Sequence, residues 1–163
     1  MLRILPDLMR QRPGVFFLML TPDVREATTF VSAMPSGDRY SSRTVSDAEV
    51  PRHLRPAYLG LLLSRAHPPN EVAWPTGIAD YVLCGVPIMI SSGVGDSSSV
   101  VAEYKIGVVL ERPDPHEVSK GLERVATEPT HTRLVRIARF GDRFFHERVA
   151  PKMAGLHYQP AED

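Results

Sequence analysis

The stretch Pro75–Ser91, PTGIADYVLCGVPIMIS, decides the fold that the sequence predicts. Pro75 suits the first position of a helix, because a helix makes no use of the N–H that proline lacks there. Gly85 is the residue type that most often follows the last turn of a helix. The apolar run Val86–Ser91 then has the composition of a strand. The stretch therefore predicts a helix over 75–84 that leads directly into a strand.

Apolar segments continue this alternation of strands and helices in both directions. Helical spacing of apolar residues predicts helices near 2–12, 24–34, 51–57, 75–84, 100–104, 114–127 and 130–149. The predicted strands are Val15–Leu20, Arg39–Ser46, Tyr58–Leu63, Val86–Ser91 and Gly107–Leu110. Strands without a polar face are typical of parallel sheets covered on both sides. We therefore expect one Rossmann-like α/β domain over 1–163, with about five parallel strands flanked by helices and a helical C-terminal part at 113–150.

The composition narrows the classes of function. The chain has 163 residues, with 19 basic and 19 acidic residues and a formal net charge of zero. This balance argues against a nucleic-acid-binding protein, which would need a basic surface. Apolar runs fall far short of the roughly 20 residues that span a bilayer. Neither a membrane span nor an N-terminal leader is expected, and we expect the protein to be cytoplasmic.

The predicted start of the helix at 75–84 carries the candidate binding residues. The amides of Thr76 and Gly77 would have no partner within the helix, and with the helix dipole they suit an anion such as a phosphate. Asp80 follows one turn later, where its carboxylate can reach a hydroxyl of the group that carries the phosphate. A ribose would fit this description. On spacing alone, a helix that merely starts at a proline and stops at a glycine remains an alternative.

The quoted stretch also resembles a known family. It is similar to the segment P-T-K-x-x-E-Y-x-x-x-G-x-P of the donor domain in GT-B glycosyltransferases of the retaining group often called family 1 or family 4. The following SSGVGDSSSVVAEYKIGVVLE is similar to that family's loop, helix and short strand, and EVPRHLRPAYLGLLLS resembles its preceding segment. The resemblance covers about residues 2–149. It implies half of a GT-B fold that binds a nucleoside-diphosphate sugar, such as a UDP-sugar, as substrate and needs neither a metal nor another cofactor.

The resemblance implies roles for individual residues. It places Pro75, Thr76 and Gly77 at the diphosphate of the nucleotide-sugar donor, and Asp80 at the ribose hydroxyls, where the family has a glutamate. Gly77 stands where the family usually has a lysine, so a weak donor site is implied. Glu71 is one position out of register with a further family glutamate. We assign no catalytic residue.

Two parts of the family's architecture have no counterpart in the sequence, namely its first central strand and its N-terminal acceptor-binding domain. Without that strand, Val15–Leu20 would pair directly with Tyr58–Leu63 or with a strand borrowed from another chain in an oligomer, and we expect direct pairing because it needs no second chain. The expected sheet order is 39–46, 15–20, 58–63, 86–91 and 107–110. The expected partner is the missing acceptor domain, without which a donor-binding half would be inactive.

Other motifs are weaker. The segment SSGVGDSSS lacks the G-x-S-x-G frame of a nucleophile elbow and the third glycine of a dinucleotide fingerprint, and it predicts a loop that borders the cleft. Cys84 has no second cysteine with which to form a disulfide. The histidines lack the i, i+4 pairing of a metal site, and we expect no metal. These histidines are His53, His67, His116, His131, His146 and His157.

A stripe of arginines is predicted on the last helix. It is either a solvated face or a surface that contacts the absent domain or an anionic membrane. The stripe consists of Arg133, Arg136, Arg139 and Arg143, opposite Leu134, Ile137 and Phe144 or Phe145.

Three functions remain open. The favoured one is the donor-binding half of a glycosyltransferase. The second is a degenerate, non-catalytic domain for nucleotide binding or protein interaction. The third is an unrelated doubly wound α/β enzyme, such as a dehydrogenase or hydrolase.

Overall fold

The computed structural model describes residues 4–34, 37, 39–63, 76–93 and 95–153. Within these ranges the protein is an α/β structure with parallel strands flanked by helices. The strands are β1 (Phe17–Thr21), β2 (Tyr40–Thr44), β3 (Gly60–Leu62), β4 (Ile88–Ser91) and β5 (Gly107–Leu110). The helices are α1 (Leu5–Gln11), α2 (Val24–Ala33), α3 (Val50–Leu54), α4 (Thr76–Leu83), α5 (Ser97–Glu103), α6 (Pro115–Thr127) and α7 (Thr130–Met153).

The larger sheet contains β3, β4 and β5, all parallel, with β4 in the middle. Every residue of β4 is buried, as the continuously apolar sequence of this strand predicts. The backbone of β4 lies so close to the start of β5 that position 107 must be a glycine. A Cβ atom at this position would lie 1.8 Å from the carbonyl oxygen of Ile88, so only glycine fits.

The smaller sheet pairs β1 with β2 in parallel, with Phe17 opposite Tyr40. Phe17 is buried, but the side chains on the other face are open, since Phe16 is 56% exposed and Leu18 is 40% exposed. The expectation that β1 is covered on both faces is therefore wrong. The helix that follows β1 packs on the covered face, where the ring of Phe30 meets the edge of the Tyr40 ring.

The predicted single sheet of five strands is replaced by these two sheets. Among the described residues, β1 pairs only with β2 and β3 only with β4, so the expected pairing of Val15–Leu20 with Tyr58–Leu63 is absent. The reason lies at the free edge of β3. The N–H of Gly60 donates to the carbonyl of Pro87 on the β4 side, so the N–H of Leu61 points to the opposite edge.

Tyr81 from α4 packs its ring on the face of β3, and its phenol reaches the Leu61 backbone at that edge. A Cβ atom at Gly60 would lie 2.5 Å from this ring, which shows how closely the ring packs on the strand. The phenol also forms a hydrogen bond with the backbone of Leu61, and this bond lowers the pKa of Tyr81, as a donating N–H does. A side chain thus takes the position at β3 that a neighbouring strand would need.

Helix α1 joins the two sheets. Leu8 and Met9 are almost fully buried in a core cluster that includes side chains of β1, β3, β4 and β5. The guanidinium of Arg39, just before β2, donates to the carbonyl oxygen of Met9 at 2.9 Å. On the other side, Arg12 donates from Nε to Oγ of Ser119 on α6 at 2.6 Å.

A second core cluster covers the opposite face of the larger sheet, where α4 and α7 pack together. Ile137 is fully buried there, as the pattern of the last helix predicts. The predicted arginine stripe is not one solvated face, however, because Arg133 is only 6% exposed while Leu134 is 44% exposed. Helix α7 is thus rotated so that Arg133 faces α6, where its guanidinium donates to the carbonyl of Val125.

None of the helices within the described ranges combines the length and the apolar character needed to cross a membrane.

Candidate functional site

The candidate site lies where the strands of the larger sheet end. Helix α4 ends at Leu83, and Gly85 follows with a φ of +71°, the left-handed conformation expected after a helix. The N–H of Val86 then donates to the carbonyl of Tyr81 at 2.9 Å, and the chain enters β4 at once. Because α4 runs back along the sheet before β4, its first residues lie near the C-terminal end of β4. Parallel α/β sheets bind their ligands at this edge.

Helix α4 is fixed on the sheet by its apolar residues. Ile78 is fully buried and Val82 is 1% exposed, and both belong to the core cluster under α7. Gly77 faces β3, where a Cβ atom would lie 3.3 Å from Cδ2 of Leu62. The absence of a side chain at this position therefore lets the first turn of α4 approach the sheet.

The predicted site residues are arranged along this helix. Thr76 is its first residue, Gly77 its second, and Asp80 follows one turn after Thr76 in a half-buried position. Pro75 lies outside the described residues. The backbone thus brings the first-turn amides and the Asp80 carboxylate to the same end of one short helix, although Asp80 also takes part in another polar or electrostatic interaction.

The electrostatic environment of this helix is seen at Tyr81. Burial raises the pKa of the Tyr81 phenol above its usual value near 10, and the charge of Asp80 adds to this rise. The hydrogen bond with the Leu61 backbone acts in the opposite direction. The phenol is therefore neutral at physiological pH, and it serves the packing of α4 on β3 rather than acid or base chemistry.

The loop after β4 forms the other side of the edge. Gly93 and Gly95 both have positive φ, at +72° and +49°, which makes a tight turn between Ser91 and α5. The sequence predicted a loop over 92–99, but α5 already begins at Ser97. The Oγ of Ser97 is buried and has no hydrogen-bond partner among the described residues, and the Asp96 side chain does not cap the helix.

No model of a known protein family matches this chain, and a search of curated proteins found no significant relative.

The described residues also contain no group of three or more His, Cys, Asp or Glu side chains placed to hold a metal ion. What this edge offers chemically is a set of helix N-terminal amides, one carboxylate and several hydroxyls. Groups of these kinds suit anions and hydroxyl-bearing ligands. Ser97 is the group that sequence reasoning missed, since its place in a run of serines gave no sign of burial.

Proposed function

We propose that this chain is the donor-binding half of a glycosyltransferase that transfers a sugar from a nucleoside-diphosphate sugar to an acceptor. The observation that carries the proposal is the position of Asp80 in a helix that starts at Thr76 beside the C-terminal edge of a parallel sheet. The motif that resembles the donor segment of GT-B glycosyltransferases thus coincides with a helix start of the required kind. A parallel α/β architecture is a necessary condition for the proposal and is met.

In the proposed complex, the amides of Thr76 and Gly77 donate to the diphosphate, because helix N-termini present unpaired N–H groups and a partial positive charge. Asp80 accepts hydrogen bonds from the ribose hydroxyls. A charged acceptor contributes about 1.5–3 kcal/mol for such a bond. The donor site of this half has no assigned catalytic group, so sugar transfer would need the acceptor domain.

A second candidate, a non-catalytic domain that binds a nucleotide or a protein, is favoured by the packing at Gly77. A side chain here would crowd Leu62, so the glycine supports close contact between α4 and β3. In this candidate, Gly77 serves the packing of α4 on β3 and no longer binds phosphate, although the family usually has a phosphate-binding lysine at this position.

The test is a calorimetric titration of the protein with UDP, GDP and ADP, with NAD as the comparison ligand. Weak binding of one diphosphate and none of NAD would support the proposal, whereas a preference for NAD would favour an unrelated doubly wound enzyme. Asp80→Ala should weaken the binding about 5- to 30-fold, which corresponds to roughly 1–2 kcal/mol. Asp142→Ala, at an exposed position on α7, is the matched control and should bind as the parent does.

Thermal unfolding must show that Asp80→Ala remains folded, because Asp80 has an interaction within the protein as well. An unchanged dissociation constant in a folded Asp80→Ala variant would remove the ribose role of this residue. If substitutions at Asp80 and at Gly77 both leave diphosphate binding unchanged, the binding site lies elsewhere than at this helix.

A further inference from the structure

A cleft of about 400 Å³ lies at the opposite edge of the larger sheet, where β4 and β5 begin. Its floor is apolar and includes Pro87, Val108 and Val125. Its rim is formed where α5 and α6 end and α7 begins. A volume of this size is typical of sites for small molecules. The donor site proposed above lies at the other end of the strands, so this cleft, called the basic cleft below for its charged lining, is a separate feature.

The charged side chains that line the basic cleft are mostly cations. Lys105, Arg124, Arg133 and Arg136 line it, with Glu128 as the single acid. Arg136 is already paired, since its guanidinium donates to Glu128 at 2.8 Å and to the carbonyl of Lys105 at 2.5 Å. The pairing with Arg136 holds the pKa of Glu128 below its usual range, and the nearby charge of Arg133 adds to this effect. The lining therefore holds four cations against one acid, and Glu128 alone does not balance Lys105, Arg124 and Arg133.

The environment of Arg133 supports an anion site in this cleft independently of the charge count. The Arg133 side chain is buried, and within the described residues its guanidinium makes one hydrogen bond, from Nη1 to the carbonyl of Val125 at 2.7 Å. Its buried Nε has no hydrogen-bond partner in the part of the chain that the structure describes. The guanidinium also lies over the ring of Tyr58, with 5.5 Å between Cζ and the ring centre. An arginine has five N–H donors, and a buried cation without a carboxylate in hydrogen-bond contact is unfavourable unless an anion compensates it.

We infer that the basic cleft binds the phosphate group of a small molecule. Three cations without a matching acid favour a group that carries two charges over one that carries a single charge. Arg133 is held in place by Val125 and Tyr58, so it is already ordered for an incoming anion. The apolar floor suits the uncharged part of a ligand. The same phosphate chemistry occurs in a free metabolite and in a lipid headgroup, and the experiment separates these two sources.

The first arm titrates the protein with inorganic pyrophosphate and with inorganic phosphate, followed by calorimetry and by two-dimensional ¹⁵N NMR. We expect saturable binding, with shifts at the Gly107 amide and at the Arg133 Nε–H. Arg124→Gln, at an exposed position, should weaken pyrophosphate binding about tenfold, the loss expected for one charged hydrogen bond. Arg25→Gln, an exposed arginine on α2 outside the cleft, is the matched control and should bind as the parent does.

The second arm measures co-sedimentation with phosphatidylcholine vesicles that contain or lack phosphatidic acid. Binding of phosphatidic acid vesicles that Arg124→Gln abolishes, together with weak pyrophosphate binding, would assign the cleft to a lipid headgroup. Pyrophosphate binding without vesicle binding would assign it to a soluble ligand. Pyrophosphate-induced NMR shifts at the Gly107 amide but not at the Thr76 and Gly77 amides would separate this inference from the donor site, because that proposed site holds a diphosphate at the start of α4. The inference is overturned if neither probe binds, or if Arg124→Gln and Arg25→Gln weaken binding equally.

Discussion

Replacing Gly77 with lysine should strengthen binding at the proposed donor site. A charged hydrogen bond from the lysine to the diphosphate contributes about 1.5–3 kcal/mol, and ordering of the side chain costs about 0.5–1.5 kcal/mol. The net gain of about 1–2 kcal/mol corresponds to roughly 5- to 30-fold tighter binding. The new Cβ would lie 3.3 Å from Cδ2 of Leu62, a contact that a small shift of this side chain relieves.

The stability of the fold should change little in this variant. Lysine has a higher helix propensity than glycine by about 0.5–1 kcal/mol, whereas a positive charge near a helix N-terminus costs about 0.3–1 kcal/mol. The assay is calorimetric titration of the best-binding nucleoside diphosphate into the parent, Gly77→Lys, Gly77→Ala and Gly77→Gln. Gly77→Ala reports the effect of crowding at Leu62, and Gly77→Gln that of a long uncharged side chain. Equal affinities for a folded Gly77→Lys variant and for Gly77→Ala would refute the phosphate site at this helix start.

Two further predictions concern the fold. Gly107→Ala should lower the free energy of unfolding by about 3 kcal/mol or more in urea denaturation, because the new Cβ would meet the Ile88 carbonyl at 1.8 Å; Gly14→Ala, with open space around it, should be near neutral. The N–H of Glu117 holds the pKa of Asp114 below its usual range, so this interaction stabilises the fold above about pH 4 and is lost as the pH falls through the lowered pKa. Asp114→Asn should therefore flatten the acid limb of a plot of melting temperature against pH, and an unchanged limb would contradict this role.

The local elements could be predicted from the sequence because their signals are local. The apolar run before Ser91 predicted a strand that is indeed fully buried, and Gly85 predicted where α4 stops. Asp114 and Pro115 mark the start of α6, where the Asp114 side chain accepts from the N–H of Glu117. Each of these features depends on residues within a few positions of one another.

The sheet could not be predicted in the same way, since strand pairing depends on residues far apart in the chain. An apolar strand such as β1 is compatible with two neighbours, yet its Leu18 side chain is open on one face. The edge of β3 is taken by Tyr81, which reads in the sequence as an ordinary core residue of α4. Nothing in its spacing predicts a contact with Gly60.

The two candidate sites also differ in whether their residues lie close together in the sequence, which decides whether they could be predicted. The helix start at Thr76 and the carboxylate at Asp80 lie close together in the sequence, and their pattern was recognisable. The basic cleft is built from Lys105, Arg124 and Arg133, which belong to different elements and form no motif. The arginine stripe drew attention to α7, but the burial of Arg133 appears only when α7 is packed against its neighbours.

Helix α1 has a consequence for how the protein unfolds. The two sheets share no ladder hydrogen bonds in the described part of the chain, but both contribute side chains to the core around Leu8 and Met9. Undocking of α1 would expose this core on both sides at once, so the strands on either side should open to hydrogen exchange in one cooperative unit. We therefore expect the docking of this seven-residue helix to control how fast both sheets unfold.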